Sequence, residues 1–567
     1  MPSELDLKFR AIMDAMIAPG ALLETTQMEL RGRSWTVFRN APPTLPAMIA
    51  KFCADHGDAE FIVDGPHRLT FAQMLALSQQ VAAGLINRHG IARGDRVGIA
   101  ARNSANWIIA YFGVLFAGGC AALLNGWWTG EELADGIRLA DCRMILADPQ
   151  RAARLEAIEH GSQLVTFDHG DPANGLAGLI DDAPASLPAL TGDDLATILY
   201  TSGSTGQCKG ACSDHRAVVQ ATLNYAAQTL MLFHHHAARG EVPPGVQPCA
   251  LVAVPLFHVT GEIPLLLQSL VTGRKLVMMP RWDAVEAMRL IAAERVTYFV
   301  GVPLMSIEIA SHPERPNFDL SSCFHFAAGG APRPVSHVRK IRESIPTGFP
   351  ILGYGLTETN AVGCGNFNEN YLEKPGSTGP ASRPLVELEV LDSAGHPLPQ
   401  GQTGEVAIRS ICNFLGYWNN PEATRAAMTD DAWFRTGDLG YLDADGYLFI
   451  VDRQKDIIIR GGENITASEI EAALYAHPAI AEASVFGLPD DRLGEVPVAV
   501  CVPRPGADVA AEDLREFLAA QLASFKIPVH FWMESDRLPR LGTEKVDKRA
   551  LKARFAAGWT GGETRAS

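Results

Sequence analysis

The chain has 567 residues, of which 47% are hydrophobic and 20% are charged, and its formal net charge is −16. This length exceeds one ordinary hydrophobic core, so we expect more than one domain, and the composition excludes a wholly disordered chain. The net negative charge excludes a protein that binds nucleic acids or anionic membrane surfaces in general.

Cysteine and histidine usage argues against a structural metal. The ten cysteines are scattered without a Cys-x-x-Cys pair, which predicts free thiols in a reducing compartment. The run 234–236 consists of three histidines, which could bind a metal, but its polar neighbours favour a solvated loop.

We predict a cytoplasmic protein without an integral membrane segment. The first residues lack an apolar stretch, so they do not resemble a signal peptide. Residues 107–124 are uncharged, which is the length of a membrane span. Gly118 and Gly119 interrupt this segment, however, and divide it into a helix capped near Ser104 and a short buried strand.

The first two-thirds of the chain alternate between strands and helices. This alternation predicts a largely parallel sheet, whose ligands lie beyond the carboxyl ends of the strands. The predicted strands are 96–101, 120–124, 144–147, 195–200, 250–254, 275–279, 296–300, 324–327 and 350–354, and the predicted helices include 71–88, 284–294 and 335–345.

Beyond about residue 380 the pattern changes to short strands, at 386–391 and 405–408, and a hairpin that turns at Asp445-Gly446. After residue 451 a compact α+β unit begins. There Thr466 and Glu469 form a capping-box pattern that opens a helix to about 475, followed by strands 483–486 and 498–502 and a helix at 514–522. The predicted fold is therefore α/β: a large N-terminal domain of parallel α/β sheets with a β-rich subdomain (1–452), and a small mobile α+β C-terminal domain (453–567).

A glycine-rich loop follows the predicted strand 195–200. Hydroxyl donors and backbone N–H groups in such a loop suit phosphate, and Lys209 adds a point charge. Lys209 is followed by Gly210, without the hydroxyl that a P-loop places after its lysine, so this is not a P-loop. The candidate phosphate-binding residues are Thr201, Ser202, Gly203, Ser204, Thr205 and Lys209.

The segment Tyr-Thr-Ser-Gly-Ser-Thr-Gly-x-x-Lys-Gly resembles the phosphate-binding signature of the adenylate-forming (AMP-binding) superfamily. That superfamily includes acyl-CoA ligases, beetle luciferases and the adenylation domains of peptide synthetases. One departure is Cys208, where the family usually has proline. The resemblance spans roughly residues 195–550. It implies ATP and coenzyme A as co-substrates, Mg²⁺ as a cofactor, a small carboxylic acid as substrate, and a homodimer as one form of the protein.

Two further segments match the family after predicted strands. Gly329, Gly330 and Ala331 correspond to the backbone that flanks adenine. In the segment Gly353-Tyr-Gly-Leu-Thr-Glu-Thr, the resemblance implies that Gly353 and Tyr354 contact the base and that Thr357 is a catalytic hydroxyl. Glu358 is expected to hold Mg²⁺, which prefers carboxylate oxygens, and Thr201 is a second candidate ligand for that ion.

The C-terminal motifs carry the remaining implied roles. Asp438 and Arg453 correspond to the ribose site, and Lys455 to the hinge between the domains. Gly461 and Gly462 would begin the loop that reaches coenzyme A after the small domain rotates.

The catalytic lysine of the family corresponds to Lys545, which would hold the carboxylate and the α-phosphate oxygens. The family usually has glycine before this lysine, where this chain has Glu544. Lys548 is a rival for the same role, although the spacing from Pro539 favours Lys545.

The expected acyl pocket consists of His258, Val259, Val302, Met305 and Ala328, with His258 as a gating and catalytic side chain. These predicted walls are mostly apolar, without a fixed cation to meet a second carboxylate. They favour a medium- or long-chain fatty acid, in keeping with a closer resemblance to fatty-acid–CoA ligases, and leave aryl or steroid side-chain acids as alternatives. The family has an aspartate near His258 when the substrate is an amino acid, and this chain has none.

Three other functions share these motifs. The first is an acyl-AMP ligase that loads a carrier protein, and the second is a luciferase-like oxygenase. The third is a catalytically silent nucleotide-binding protein, which the departures at Cys208 and Glu544 keep open.

Overall fold

The computed structural model describes residues 2–202, 208–242, 245–331, 333–541 and 545–559. Its architecture is the mixed α/β fold that the alternation of strands and helices predicts. Two mainly parallel sheets form the N-terminal part, an antiparallel sheet follows, and a small α+β unit ends the chain.

The first large sheet has eight strands and carries most of the candidate ligand contacts. Its six central strands are parallel, with an antiparallel strand at each edge. In spatial order the strands are Cys364–Asn366, Phe349–Tyr354, His325–Ala328, Tyr298–Gly301, Cys249–Val252, Lys275–Met278, Glu60–Asp64 and His67–Thr70.

The second large sheet has seven strands, five of them parallel. In spatial order they are Gly416–Tyr417, Cys208–Asp214, Leu195–Ser202, Cys120–Leu123, Arg96–Ala100, Met144–Ala147 and Gln163–Thr166. The first two strands of this list run antiparallel to their neighbours, and they extend the sheet towards the site described below.

Helices cover both sheets. The helix Ala105–Phe116 is buried at every position, and Ser104 caps it by accepting a hydrogen bond from the Trp107 N–H at 3.1 Å. The other helices of this part are Glu4–Ile17, Leu45–His56, Phe71–Asn87, Gly130–Ala140, Pro149–Leu155, Pro172–Gly175, His215–Ala238, Val259–Gly261, Gln268–Thr272, Ala284–Glu294, Pro303–Ser311, Val335–Ser344, Asn368–Glu373 and Pro421–Ala427, with a π-helical turn at Glu262–Leu267 and 3₁₀ turns at Arg315–Asn317 and Thr357–Thr359.

The predicted division of the apolar stretch 107–124 is confirmed, because a helix and a strand occupy it and both belong to the core. Among the described residues, none of the helices combines the length and the apolar character needed to cross a membrane.

The histidine run corrects the sequence-based interpretation. Instead of lying in a solvated loop, it lies in the last turns of the helix His215–Ala238, where His235 and His236 are buried. The His236 ring is hydrogen-bonded to Glu241 and to Asn368. In the described part of the chain, no group of three or more His, Cys, Asp or Glu side chains is arranged to hold a metal.

The β-rich segment forms a four-stranded antiparallel sheet with the strands Glu387–Leu391, Gly404–Arg409, Phe434–Leu442 and Leu448–Arg453. The last two strands form the predicted hairpin, whose turn includes Gly446 at φ 81°. A separate hairpin of Thr25–Leu30 and Arg33–Phe38 lies near the N-terminus.

The C-terminal unit has its own five-stranded sheet and its own hydrophobic clusters. The strands are Ile458–Arg460, Glu463–Ile465, Ile480–Asp490, Gly494–Pro503 and His530–Met533, and the helices are Ala467–Ala476, Ala511–Ala519 and Lys548–Ala556, with 3₁₀ turns at Gln454–Asp456 and Ser524–Lys526. The described residues of its two clusters all come from position 458 or later. A separate core of this kind is typical of an independent domain, and the boundary near residue 453 stays a prediction.

The capping box predicted at Thr466 is incomplete. Thr466 precedes the helix Ala467–Ala476 and donates its hydroxyl to Glu469 at 3.1 Å, but its side chain makes no capping bond to the backbone. Glu469 is held instead by Lys526, at 2.7 and 2.8 Å.

Candidate active site

The candidate nucleotide contacts meet at the carboxyl edge of the eight-stranded sheet. Gly329, Gly330 and Ala331 follow the strand His325–Ala328, and Gly353 and Tyr354 end the adjacent parallel strand. A Cβ atom added at Gly329 would lie 3.5 Å from the Gly353 carbonyl oxygen, so the two segments are close neighbours. This is the edge at which parallel α/β sheets bind their ligands.

The predicted phosphate loop is shorter than the sequence indicates. The preceding strand continues to Ser202, and Cys208–Asp214 returns as its antiparallel partner, so Lys209 lies on a strand opposite Thr201. The predicted contacts Gly203, Ser204 and Thr205 lie outside the described residues. The Lys209 ammonium lies 4.8 Å from the centre of the Tyr417 ring, which places its charge beside the Glu358 site.

Glu358 is a buried carboxylate just beyond the strand Phe349–Tyr354, in the 3₁₀ turn Thr357–Thr359. Its Oε1 atom accepts a hydrogen bond from the Tyr417 hydroxyl at 2.8 Å. Burial raises the pKa of Glu358, while the bond from Tyr417 and the charges of Arg453 and Lys209 oppose that rise. Within the described residues no cation forms an ion pair with Glu358, and Thr357 lies half-buried beside it. A buried, unpaired carboxylate of this kind is suited to a hard cation.

Asp438 is held in place from both sides. Its Oδ2 atom accepts a hydrogen bond from the Tyr354 hydroxyl at 2.7 Å, and its Oδ1 atom lies 3.0 Å from Nε of Arg453. Asp438 and Arg453 face each other across the hairpin strands. Three of the predicted nucleotide contacts therefore form one group, in which a hydrogen bond and an ion pair orient the Asp438 carboxylate.

Lys545 reaches this group from the C-terminal unit. A Cβ atom added at Gly330 would lie 3.2 Å from Cε and 3.6 Å from Nζ of Lys545, so the glycine leaves room for the lysine. Burial, followed by the charge of Arg453, lowers the pKa of Lys545 to about 8, although Asp438 and Glu358 oppose the change. Its rival, Lys548, is engaged elsewhere, in an ion pair with Glu471 at 2.8 Å. Glu544 lies outside the described residues.

His258 faces the same cleft. It precedes the helical turn Val259–Gly261, and its Nδ1 atom accepts a hydrogen bond from the Thr260 N–H at 3.3 Å. Burial, and then the charge of Lys545, lower the pKa of His258 to about 3. The imidazole is therefore neutral at physiological pH, with Nδ1 as an acceptor and Nε2 left as a donor.

A cavity of about 210 Å³ leads from the nucleotide edge into the protein. At the nucleotide end it is lined by Ala328, Gly329, Gly330 and Gly353, and along one side by residues of the helix His215–Ala238, among them Tyr225, Leu232 and Phe233. Its lining is mainly apolar. An elongated hydrophobic group can therefore extend away from a carboxylate at the nucleotide edge.

Several predicted pocket residues lie elsewhere. Of the predicted walls, Ala328 lines this cavity and His258 does not, whereas Val259 is buried in the main core and Val302 and Met305 pack in a second hydrophobic cluster. Pro303 begins the helix Pro303–Ser311 at this point, so the chain turns away from the cavity. Arg274 lines this cavity as well, so the cavity contains a cation that the predicted walls lack.

Family comparisons agree with this geometry. The family model described as "AMP-binding enzyme" matches residues 49–418, and the model described as "AMP-binding enzyme C-terminal domain" matches residues 469–545. The chain belongs to the AMP-binding enzyme family.

The relatives are acyl-CoA ligases. A feruloyl-CoA synthase from Amycolatopsis sp. is 33% identical over 494 residues, which covers 87% of this chain and 95% of the relative. A long-chain-fatty-acid–CoA ligase from Bacillus subtilis is 31% identical over 546 residues, with 90% and 94% covered. The crystal structure of ATP-bound MatB from Rhodopseudomonas palustris has a TM-score of 0.78 and 28% identity and covers 90% of this chain and 98% of its own. The chain is therefore an AMP-forming acid–thiol ligase of the acyl-CoA ligase family.

In this AMP-binding enzyme, the predicted hinge and coenzyme A residues follow the hairpin strands that carry Asp438 and Arg453. Lys455 is in the 3₁₀ turn Gln454–Asp456, and burial lowers its pKa, with the charge of Arg453 adding to the effect. Gly461 and Gly462 form a two-residue turn between paired strands, at φ 59° and 91°. Positive φ at both positions is the requirement of a type I′ hairpin turn, which explains the two glycines.

Two site residues were missed by the sequence analysis, Tyr417 and Arg274. Tyr417 lies on a strand of only two residues, paired with Cys208–Asp214, and comes 59 positions after the carboxylate it contacts. Arg274 precedes the strand Lys275–Met278 at the opposite edge of the sheet from the nucleotide contacts. No local spacing links either residue to the motifs, since only the sheet pairing brings them to the site.

Proposed function

We propose that the enzyme activates a hydrophobic carboxylic acid with ATP and then transfers the acyl group to coenzyme A. The observation that carries this proposal is the approach of Lys545 to Gly330, within reach of the charges of Asp438, Glu358 and Arg453. A cation from the C-terminal domain thereby enters a cleft whose carboxylates, Asp438 and Glu358, come from the N-terminal domain, where two anionic reactants have to meet.

In the first step, the substrate carboxylate would attack the α-phosphorus of ATP. An O–P bond forms, the bond to the β-phosphate bridging oxygen breaks, and pyrophosphate leaves. The approach of two anions is the main barrier, so a preorganised cation accelerates the step. We assign this role to Lys545, with Lys209 and the loop at 201–205 on the outer phosphates, and Gly329, Gly330, Ala331, Gly353 and Tyr354 around the base.

Glu358 fits the requirements of the magnesium ion that we expect with ATP. It is a buried carboxylate, held by the Tyr417 hydroxyl and without an ion-pair partner among the described residues. Magnesium is commonly held by one or two carboxylates and by substrate phosphates, so Glu358, with Thr201 as a second candidate, would suffice. The ion would neutralise phosphate charge, while Tyr417 keeps the carboxylate oriented.

In the second step, the coenzyme A thiolate would attack the acyl carbonyl carbon and form a C–S bond. The C–O bond between the acyl carbon and the AMP phosphate would break, and AMP would leave with that oxygen. We propose that the C-terminal domain first rotates about Lys455, which withdraws Lys545 and presents the turn at Gly461 and Gly462. Such a conformational step between half-reactions is a common gating device in enzymes.

The cavity supports a hydrophobic substrate, either an acyl chain or a ring acid. Its apolar lining and its position behind Gly329 and Gly330 agree with the medium- or long-chain fatty acid predicted from the sequence. The similarity to both feruloyl-CoA synthase and long-chain-fatty-acid–CoA ligase supports aryl and alkyl acids alike. We propose the neutral His258 as a gate near the reacting carboxylate.

Release of pyrophosphate across a panel of alkyl, aryl and steroid side-chain acids tests this function. We expect release that depends on the acid, on ATP and on magnesium, and formation of an acyl-CoA when coenzyme A is added. Acyl transfer only to a carrier protein would favour the carrier-loading alternative, and oxygen uptake with a supplied adenylate would favour an oxygenase. Binding of ATP without pyrophosphate release from any acid would contradict the proposal and favour the silent nucleotide-binding function.

A further inference from the structure

The cavity has a second, polar end, remote from the nucleotide contacts. There it is lined by Arg274, Tyr298 and His325, the last two of which open adjacent parallel strands and face each other in register. The strand His325–Ala328 spans roughly 10 Å at about 3.3 Å per residue, and Gly329 and Gly330 follow it, so the two ends are at least about that far apart. A substrate that reaches from Lys545 to Arg274 is therefore long.

Arg274 is buried without a counter-ion among the described residues. Its side chain is only 4% exposed, and within that part of the chain its Nε and Nη1 atoms have no hydrogen-bond partner. The guanidinium lies 4.5 Å from the centre of the Tyr298 ring. Burial lowers the pKa of Arg274, but an arginine side chain stays protonated in proteins. The enzyme therefore keeps a positive charge inside an otherwise mainly apolar cavity.

Other buried arginines of this enzyme have partners. The Arg151 guanidinium pairs with Asp148 at 3.1 Å. That of Arg333 has no ion pair among the described residues, but it donates to the Phe326 and Ile351 carbonyl oxygens at 3.1 and 3.3 Å. A buried charge is costly to a protein unless an ion pair or hydrogen bonds compensate it. Among the buried arginines that the structure describes, Arg274 is the one with neither, so it calls for a partner from outside the described chain.

The neighbouring polar groups do not supply that partner. The His325 imidazole is neutral, because burial and then the nearby His236 and Arg274 lower its pKa to about 3, and its Nε2 atom also has no partner in the described part of the chain. Glu241, which lines the cavity as well, is engaged by His236 and Arg239 at 2.7 Å each. Lys275, next in the chain, pairs with Glu294 rather than sharing an anion with Arg274.

We propose that Arg274 binds a second carboxylate at the far end of the acid substrate, so that the preferred substrate is an elongated, otherwise apolar dicarboxylate. This inference rests on the proposed acid-activating function. A guanidinium donates two parallel hydrogen bonds to a carboxylate, which adds geometric selection to the charge. A neutral oxygen would satisfy the N–H groups but would leave the charge uncompensated. The reacting carboxylate lies at Lys545, and the distal one neutralises Arg274.

The test compares straight-chain monoacids of ten to sixteen carbons with the α,ω-diacids of equal length, using pyrophosphate release. We expect the best diacid to exceed its matched monoacid in kcat/KM by about tenfold or more in the natural enzyme. In Arg274→Met the ratio of diacid to monoacid should fall by roughly 100-fold. Arg274→Gln, which keeps polarity without charge, should show the same fall, and it replaces the methionine variant if that variant does not fold.

Arg342→Met is the matched control, because Arg342 also stacks on an aromatic ring, that of Phe349 at 4.3 Å, but does not line the cavity. Its ratio should equal that of the natural enzyme. Thermal unfolding gives a second readout: the diacid should raise the Tm of the natural enzyme but not that of Arg274→Met. Arg274→Met should unfold at a higher temperature than the natural enzyme without ligand, because it removes an uncompensated charge.

Three outcomes would overturn the inference. One is pyrophosphate release from monoacids without any diacid preference, which leaves the proposed function intact. Another is an equal loss of kcat/KM for the diacid and the monoacid in Arg274→Met, together with a lowered Tm, which would indicate that the arginine is purely structural. The third is the absence of release from every acid of the panel, which would contradict the proposed function as well.

Discussion

The charge of Lys545 depends on groups from three separate segments of the chain. Burial and Arg453 lower its pKa to about 8, whereas the carboxylates of Asp438 and Glu358 favour the protonated form. The ordinary pKa of lysine is about 10.4, so the lysine loses its proton at a much lower pH here than on a surface. The function assigned to Lys545 requires that proton.

The rate of adenylation should therefore fall as the pH rises through about 8. The profile of kcat/KM reports the free enzyme, to which this pKa belongs. Arginine stays protonated over this range, so Lys545→Arg should remove the fall while keeping part of the activity. An alkaline limb that is unchanged in Lys545→Arg would show that another group titrates.

Tyr417 orients Glu358, and its hydroxyl lowers the pKa of that buried carboxylate. Tyr417→Phe should raise the pKa of Glu358 further. The ionised form, which binds magnesium, is present above the pKa and is lost as the pH falls, so the acid limb of the adenylation profile should move to higher pH. At the pH values of this acid limb, we expect the rate of adenylation in Tyr417→Phe to be roughly tenfold lower, the usual effect of one hydrogen bond to a charged group.

Magnesium titrations at several pH values check this prediction, and Tyr441→Phe is the matched control, because Tyr441 stacks on Phe449 away from the site. An equal loss in both variants, or an acid limb that does not move in Tyr417→Phe, would contradict the positioning role.

At the scale of elements, a site residue could be predicted where its motif is continuous in the chain, and not where separate strands bring the residues together. Glu358 lies just after the strand Phe349–Tyr354, and Asp438 lies within the strand Phe434–Leu442. Each belongs to a short continuous motif, so the sequence pattern could mark both as candidates. The far end of the cavity is built from Arg274, Tyr298 and His325, the residues that precede or open three strands. Their proximity depends on strand order and register, which local spacing does not contain.

The predicted acyl pocket shows the same limit of local sequence information. Val302 and Met305 follow a strand of the correct sheet, and hydrophobic character alone suits both a pocket and a core. The helix that begins at Pro303 directs them into the second hydrophobic cluster, while Val300, two residues earlier, lines the cavity. Capping residues and turn glycines were predictable where they act within a few residues, as Ser104 and Gly446 do.

A substitution at Cys208 tests the role of the paired strands Leu195–Ser202 and Cys208–Asp214, which flank the predicted phosphate loop. Cys208 is the first residue of the returning strand, a position that tolerates proline. Cys208→Pro should stiffen the adjoining loop and lower the KM for ATP by roughly threefold, with little change in acid preference. Cys208→Ala, which removes the thiol without adding the ring, is the control. A change in acid preference larger than the change in the KM for ATP would mean that the loop has another role.

The turn at Gly461 and Gly462 is the element assigned to the second half-reaction. Gly462→Ala forces an L-residue to φ 91°, although open space surrounds the new methyl group. Such strain costs about 1–2 kcal/mol, so thioester formation should slow by roughly tenfold while adenylation stays unchanged. Gly506→Ala, at φ 79° with equal space, is the control. Slower adenylation in Gly462→Ala, or the same defect in both variants, would contradict the assignment.

At the scale of the whole molecule, the contacts between the two parts are mostly polar among the described residues, with one edge-on ring contact between His337 and Tyr475 at 5.9 Å. Ser468 donates to Asp452 through its N–H at 3.2 Å, Arg537 is paired with Glu308, and Lys545 inserts at Gly330. The hydrophobic clusters of the C-terminal unit do not extend across this boundary within the described chain. Interfaces of this polar kind permit relative domain motion, which the two-step proposal requires.

The measurement that tests the central claim most directly separates the two half-reactions in Lys545→Ala. Single-turnover formation of the acyl-adenylate from acid and ATP should fall by roughly 100-fold or more, the usual effect of losing one preorganised charge at the reacting centre. Transfer of the acyl group from a supplied acyl-adenylate to coenzyme A should proceed at the rate of the natural enzyme. An unaffected first step would contradict the assignment of Lys545, and with it the proposed meeting of the two domains at Gly330.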